Sequence, residues 1–282
     1  MYDVMIIGSG PAGISAALTA KNRNLEFCWF GSKGLSAKIE KAGQVGNYPG
    51  LIQVTGLEMR DIFQQQVEEA GISLVTEQIS SIYPMGNSYA VNVKGKMYEA
   101  KSLLLAIGME TTKTILGEER LLGRGVSYCA TCDGFLYKGK RIAVVCTNPQ
   151  FEEEIAFLAD LADEVTVFTT YRGFSLERGN IHASIGYPSE IKGEKQVEAL
   201  VFQGKEIPVD GVFCLKDSVS PSVLLKGLEM KDGHIRVDRA QQTNLKGCFA
   251  AGDCTGRPYQ YAKAVGEGNV ALHSILDYLK EQ

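Results

Sequence analysis

Histidine is scarce in this 282-residue chain, with three in all, and no paired histidine motif or second Cys-x-x-Cys accompanies the one at Cys129 and Cys132. A closed zinc site needs four ligands, so that pair argues against zinc or an iron–sulfur cluster, and no metal is expected. Basic residues are not in excess. The formal charge of −4 argues against nucleic-acid binding as the main activity, because neutralising phosphates needs a basic surface. No apolar run approaches the roughly 20 residues of a membrane span. Residues 1–10 read as a buried strand running straight into a glycine loop, which leaves no room for a signal peptide, and a cytoplasmic protein is expected. Tandem repeats and low-complexity stretches are also missing. One further absence matters most: after the strand predicted at 141–145, where a second glycine loop would be expected, the chain reads Cys146-Thr147-Asn148-Pro149-Gln150-Phe151.

With 45% apolar residues the chain can fill two cores of ordinary size. An apolar run at 2–8 is followed by Gly8-Ser9-Gly10-Pro11-Ala12-Gly13, then by helical spacing over 14–22 and a second apolar run at 26–30, which is a β-loop-α-β pattern. Gly8 allows the tight turn, Gly10 lets backbone approach a pyrophosphate, and Gly13 permits close helix–strand packing, with the helix start facing the anion. The acidic ribose ligand expected at the end of the second strand is not visible, because Phe30 precedes Gly31 and Ser32. The loop alone leaves the nucleotide's identity open.

Seven cysteines is an odd count. Cys28, Cys146, Cys214, Cys248 and Cys254 lie in apolar or glycine-rich contexts and read as reduced, buried thiols. Cys129 and Cys132 alone are paired by spacing, and a C-x-x-C beside a carboxylate in an α/β chain reads as a dithiol/disulfide device. Asp133 is either a proton donor to a departing thiolate or a helix-start carboxylate.

Further along, the pattern predicts an amphipathic helix over 59–70, a hairpin of 89–93 and 96–99 turning at Gly95, and a buried strand over 102–108. A new unit starts near Lys113 with the C-x-x-C, strands at 141–145 and 164–169, a helix over 151–161 and a β-rich stretch to Val212. The closing segment carries Phe249-Ala250-Ala251-Gly252-Asp253 and a helix over 261–279. The expected fold class is α/β, with two Rossmann-like, three-layer ββα dinucleotide-binding-type domains, the second inserted in the first: residues 1–112 with 236–282, and 113–235.

Thr243 with Phe249 to Asp253 resembles the second FAD motif of two-dinucleotide-domain flavoproteins, in which the aspartate binds the ribityl chain. Cys129-Ala130-Thr131-Cys132-Asp133-Gly134-Phe135, in a domain inserted between two FAD segments, closely resembles the low-molecular-weight bacterial thioredoxin reductases, and Asn47-Tyr48-Pro49-Gly50 and Leu103 to Gly108 match as well. The resemblance covers nearly the whole chain. It implies an FAD homodimer that reduces thioredoxin, with Cys132 as the flavin-side sulfur, Cys129 as the attacker of thioredoxin and Asp133 as acid/base. The residues it implies for FAD are Gly8, Gly10, Pro11, Ala12, Gly13, Asn47, Gly108, Gly252, Asp253, Gln260, Tyr261 and Ala262. Trp29, Tyr48 and Tyr259 could lie near the flavin, but core packing is the preferred reading for each.

The chain departs from that family at the NADPH site. Where the family has a G-x-G-x-x-A loop, Cys146, Asn148 and Phe151 stand; Pro149 removes an amide donor, and Glu152, Glu153 and Glu154 place negative charge at the helix start. The family's basic pair for a 2′-phosphate aligns with Thr170 and Tyr171, leaving Arg172 as the nearby cation. A flavin-dithiol protein without a nicotinamide site resembles the ferredoxin-dependent branch of the family, in which ferredoxin delivers single electrons and the flavin gathers two for the disulfide. Residues 113–141 carry three more cations than anions, which suits an acidic ferredoxin but also an ordinary solvated surface. Two alternatives stay open: a thioredoxin-reductase-like enzyme that still uses NAD(P)H, and a redox-responsive binding protein whose partner reads the flavin and dithiol state.

Overall fold

The computed structural model describes residues 1–31, 35, 37–40, 42–77, 79–93, 95–109, 114–128, 130–216 and 221–282, and of residues 37, 38, 80, 132 and 223 the backbone alone. The chain divides into two compact units, Met1–Glu110 with Leu224–Gln282, and Thr111–Val223.

The first unit is built on the strand Tyr2–Ile7, which pairs in parallel with Phe27–Phe30 on one side and with the second half of Lys96–Leu105 on the other. Strict alternation sorts its side chains. Val4 and Ile6 face a helical layer of Pro11–Asn22, Gly56–Glu69 and Tyr261–Lys280, whereas Met5 and Ile7 face the antiparallel strands Ile79–Pro84 and Tyr89–Val93. The result is a three-layer ββα sandwich, as expected. Leu224, Leu225, Leu228 and Ile235 join the second of these cores, so the boundary expected after residue 235 falls earlier, between Val223 and Leu224.

Two elements differ from their sequence reading. The hairpin strand and the buried strand predicted after it form one strand, Lys96–Leu105, whose first half pairs antiparallel with Tyr89–Val93 and whose second half joins the parallel sheet. The helix predicted from residue 59 starts at Gly56. A capping box fixes it there: Thr55 Oγ1 accepts from the Glu58 N–H (3.2 Å), and Glu58 Oε2 accepts from the Thr55 N–H (2.7 Å).

The second unit repeats the plan with a parallel sheet in the order Ile181–Ile185, Glu164–Thr169, Arg141–Cys146, Gly211–Leu215, Val126–Ser127. Ile142, Val144 and Cys146 face the helix Glu152–Leu161, and Ala143 and Val145 face the small antiparallel sheet of Glu190–Lys192, Ala199–Phe202 and Lys205–Pro208.

In the first unit, the helices Pro11–Asn22 and Tyr261–Lys280 pack through small residues. A methyl group on Gly268 would lie 2.1 Å from the Ala12 carbonyl oxygen, whereas one on Gly266, on the same helix, meets nothing within 4 Å. The same substitution therefore has opposite signs at the two sites. Gly268→Ala is expected to destabilise by about 2 kcal/mol through overpacking, and Gly266→Ala to stabilise by roughly 0.5–1 kcal/mol through chain entropy. Urea titration of both variants checks this, and a stabilised Gly268→Ala would contradict the packing.

Candidate functional site

Three parallel strands of the first unit, Tyr2–Ile7, Lys96–Leu105 and Cys248–Ala250, end side by side and deliver Gly8, Gly108 and the Gly252-Asp253 pair to one edge of the sheet. In open α/β sheets, ligands bind at this carboxyl edge. The approach is close enough to forbid side chains. A methyl on Gly8 (φ +117°) would lie 2.1 Å from the Ala106 carbonyl oxygen, and one on Gly13 would lie 1.9 Å from that of Gly8. Trp29 Nε1 donates to the same Gly8 carbonyl at 2.8 Å, and Gly252 (φ +88°) comes against Ala12. Gly10, Pro11 and Ala12 form the entry of the helix Pro11–Asn22.

The two remaining expected segments meet each other. Asn47 Nδ2 donates to Gln260 Oε1 at 2.8 Å, and Gln260 is the residue from which the helix Tyr261–Lys280 starts. The Tyr261 hydroxyl is pushed up first by burial and then by the charge of Asp253, while Ala262, beside it, is exposed.

A dinucleotide fits this edge. The helix Pro11–Asn22 begins at Gly10 with Pro11 in its first turn, carries no acidic residue there, and has no side-chain cap among the described residues. Its first N–H groups and the positive end of its dipole are the standard receptor for a pyrophosphate. The helix Gly56–Glu69, by contrast, satisfies its own start with Thr55 and Glu58.

Lys263 and Glu267 were not read as site residues, yet they brace the Gly252 turn. Lys263 Nζ donates to the carbonyls of Gly252 (2.9 Å) and Gly256 (2.8 Å), and Glu267 Oε2 accepts from the Gly252 N–H (2.8 Å) and from Thr255 Oγ1 (2.9 Å). The two ends of the brace form an i,i+4 ion pair at 3.0 Å. A faint signal was available, since lysine placed before glutamate is the poorer order for a helix pair and asks for another reason. Cys254 in this turn is fully enclosed and its thiol is pushed up to about 12 by burial; Cys28, at about 11, and Cys248, at about 12, are shifted for the same leading reason. Trp29 is a core residue, and Tyr48 packs edge-on against Phe63. Tyr259 is not: it is 43% exposed, and its hydroxyl meets His234 Nε2 at 2.7 Å.

In the second unit, the expected catalytic Cys129 lies outside the described residues, and Cys132 is placed by backbone alone in the short helix Ala130–Asp133. Asp133 is half-buried. It makes no capping bond to the 3-10 turn Gly134–Tyr137, and its Oδ2 instead accepts from Ser127 Oγ at 2.6 Å.

The second loop is closed by side chains. Cys146 Sγ donates to the Asn148 carbonyl (3.2 Å) and lies 3.7 Å from the Tyr171 hydroxyl; that hydroxyl donates to Glu152 Oε1 (2.9 Å), and Ser175 Oγ donates to Glu152 Oε2 (2.9 Å). The loop after the strand Arg141–Cys146 is thus stitched to the loop after Glu164–Thr169. Phe151 is buried in the core, and Glu152, Glu153 and Glu154 occupy the first turn of the following helix. Arg172 is exposed. Among the described residues no cluster of histidine, cysteine and acidic side chains could hold a metal ion.

A family model described as pyridine nucleotide-disulphide oxidoreductase matches residues 2–268. The thioredoxin reductase of Listeria monocytogenes serovar 1/2a is 30% identical over 302 residues, covering 100% of this chain and 95% of its own length. Among solved structures, a ferredoxin-flavin thioredoxin reductase from Clostridium acetobutylicum is 43% identical with a TM-score of 0.89, covering 100% of this chain and 99% of that one. A thioredoxin reductase from Gloeobacter violaceus is 28% identical with a TM-score of 0.77, covering 99% and 95%.

The brace at Gly252 can be read directly. Glu267→Ala removes the acceptor of the Gly252 N–H, so exchange of that amide is expected to speed up about tenfold or more, the worth of a hydrogen bond to a charged group. Hydrogen exchange resolved by residue measures it, and an unchanged Gly252 rate would show that the turn stands without the brace.

Proposed function

The chain belongs to the pyridine nucleotide-disulphide oxidoreductase family, within it to the low-molecular-weight thioredoxin reductases, and from that premise we propose that it passes electrons from reduced ferredoxin, through FAD, to the disulfide of thioredoxin. It is a flavoprotein disulfide reductase. One observation carries the choice of electron donor: the stitch of Tyr171, Glu152 and Ser175 stands where a pyridine nucleotide would need bare backbone and positive charge. The 43% identity to a protein described as a ferredoxin-flavin thioredoxin reductase supports the same choice.

In this reading the first unit holds FAD and the second carries the dithiol. FAD, when bound, supplies a carrier that accepts electrons singly and releases them in pairs. Gly8, Gly10 and Gly13 give the pyrophosphate its close backbone approach, and the Lys263–Glu267 brace fixes the turn from which Asp253 reaches the cofactor. The reduced dithiol then acts by exchange. The Cys129 thiolate attacks one sulfur of the thioredoxin disulfide, so a Cys129–thioredoxin S–S bond forms, the thioredoxin S–S bond breaks and a thioredoxin thiolate leaves. Cys132 attacks Cys129 in turn, which closes the Cys129–Cys132 disulfide and releases the second thioredoxin thiolate. Two electrons pass to thioredoxin, and Asp133, held by Ser127, exchanges the proton with the departing sulfur.

The proposal includes a homodimer and action in the cytoplasm. The enclosed thiols Cys28, Cys248 and Cys254, all pushed up by burial, suit a reducing compartment. Among the described residues, no helix is long and apolar enough to cross a membrane.

Anaerobic FAD-loaded protein mixed with reduced ferredoxin and oxidised thioredoxin is expected to produce thioredoxin thiols over many turnovers, while NADPH or NADH alone leaves the flavin oxidised. Cys129→Ser is expected to keep flavin reduction and lose thioredoxin reduction. Flavin bleaching by NADPH within the turnover time would overturn the choice of donor.

A further inference from the structure

The carboxyl edge of the second sheet holds another cluster that the function above does not use. Lys216 follows the strand Gly211–Leu215, and its Nζ donates to both carboxylate oxygens of Glu118 at 2.7 Å, with each side chain 2% exposed. The Tyr128 hydroxyl donates to Glu118 Oε1, and the Ile115 N–H to Oε2 at 2.7 Å. On the other side of the pair, the Tyr187 hydroxyl bonds to Lys216, and its ring centre lies 5.4 Å from Nζ. Cys214 is enclosed beside both charges.

A buried ion pair is a weak source of stability, because desolvation offsets most of the attraction. What it fixes is geometry, since each donor on that carboxylate is held in place by the cost of leaving the charge unpaired. Tyr128 is the donor that matters, because the next residue is Cys129. Its neighbour Ser127 is tied the other way, to Asp133, at the far end of the dithiol helix. Ser127 ends the strand Val126–Ser127, and Tyr128 follows it in a bend. The segment entering the dithiol is therefore fastened through Tyr128 to the buried pair and through Ser127 to the residue after Cys132.

We infer that Tyr128 is a positioning residue for disulfide exchange: the buried Glu118–Lys216 pair locks its hydroxyl, and with it the main chain at the residue that immediately precedes the nucleophile in sequence. The inference rests on the reading of Cys129 as the partner-side nucleophile. It assigns Tyr187 no such role, although Tyr187 bonds to the same pair, because the chain does not lead from it to a cysteine.

The test compares Tyr128→Phe with Tyr187→Phe in FAD-loaded enzyme, prereduced with dithionite, freed of excess reductant and mixed with oxidised thioredoxin in a single turnover. Each variant removes one hydroxyl partner from the buried pair, so both are expected to lose similar thermal stability. Tyr128→Phe alone is expected to lower the saturating rate constant about tenfold, the worth of a hydrogen bond to a charged acceptor, at an unchanged half-saturating thioredoxin concentration. Equal rates in the two variants, whether both normal or both lowered, would make the cluster purely structural and overturn the inference. A change in half-saturation alone would also overturn it, by making Tyr128 a docking contact. A reduced wild type that gives thioredoxin no thiols would sink the function and the inference together, which separates the two failures.

Discussion

A methyl group on Gly8 would lie 2.1 Å from the carbonyl oxygen of Ala106, one on Gly13 would lie 1.9 Å from that of Gly8, and one on Gly268 would lie 2.1 Å from that of Ala12. Each contact is backbone against a missing side chain, and together they set how tightly strand, turn and helix close at the edge of the first sheet. That closeness lets the N–H groups at the start of the helix Pro11–Asn22 serve a ligand directly. It also lets the Gly252 turn reach Ala12, and so brings the second sequence motif to the first. Trp29 reinforces the arrangement by spending its one donor on the Gly8 carbonyl, which leaves the turn no freedom to flip.

The second unit has the same strand plan and the opposite use of it. Its strands Arg141–Cys146, Glu164–Thr169 and Gly211–Leu215 also end side by side, yet each hands on a bulky or charged side chain to a partner within the unit. Cys146 meets the Tyr171 hydroxyl, which donates to Glu152, and Lys216 leads to Glu118. Topology therefore does not decide whether an α/β edge binds a nucleotide. The presence or absence of side chains in its first turns does.

What could be read from the sequence was contiguous. The Gly8 to Gly13 loop, the Cys129 to Asp133 run, the Phe249 to Asp253 segment and the failure of the glycine pattern at Cys146 to Phe151 each lie within a few residues. The illegible contacts were made by distance. Lys216 and Glu118 are 98 positions apart, and the Trp29 bond to Gly8 spans 21. The strand Lys96–Leu105 was split because its two halves serve different neighbours, one antiparallel and one parallel, and so show different patterns. The helix start at Gly56 was written in Thr55 and Glu58, a capping signal outweighed by the apolar spacing that begins at Met59.

Electrostatics explains why the second edge cannot simply be reopened. A helix start attracts negative charge, worth roughly 0.3–1 kcal/mol at an exposed terminus. In the first unit that attraction is left to a phosphate, because no acid occupies the first turn. In the second unit Glu152, Glu153 and Glu154 supply the charge themselves, and Tyr171 and Ser175 hold the Glu152 carboxylate with two hydroxyl donors. An incoming phosphate would meet repulsion in place of attraction, and it would have to break both bonds to enter. Restoring glycine at the loop positions would remove the steric block and leave the charge in place. Two physical barriers must fall together before such an edge accepts a nucleotide, so on the proposed function the dependence on an outside electron carrier is built into the helix start as firmly as into the loop.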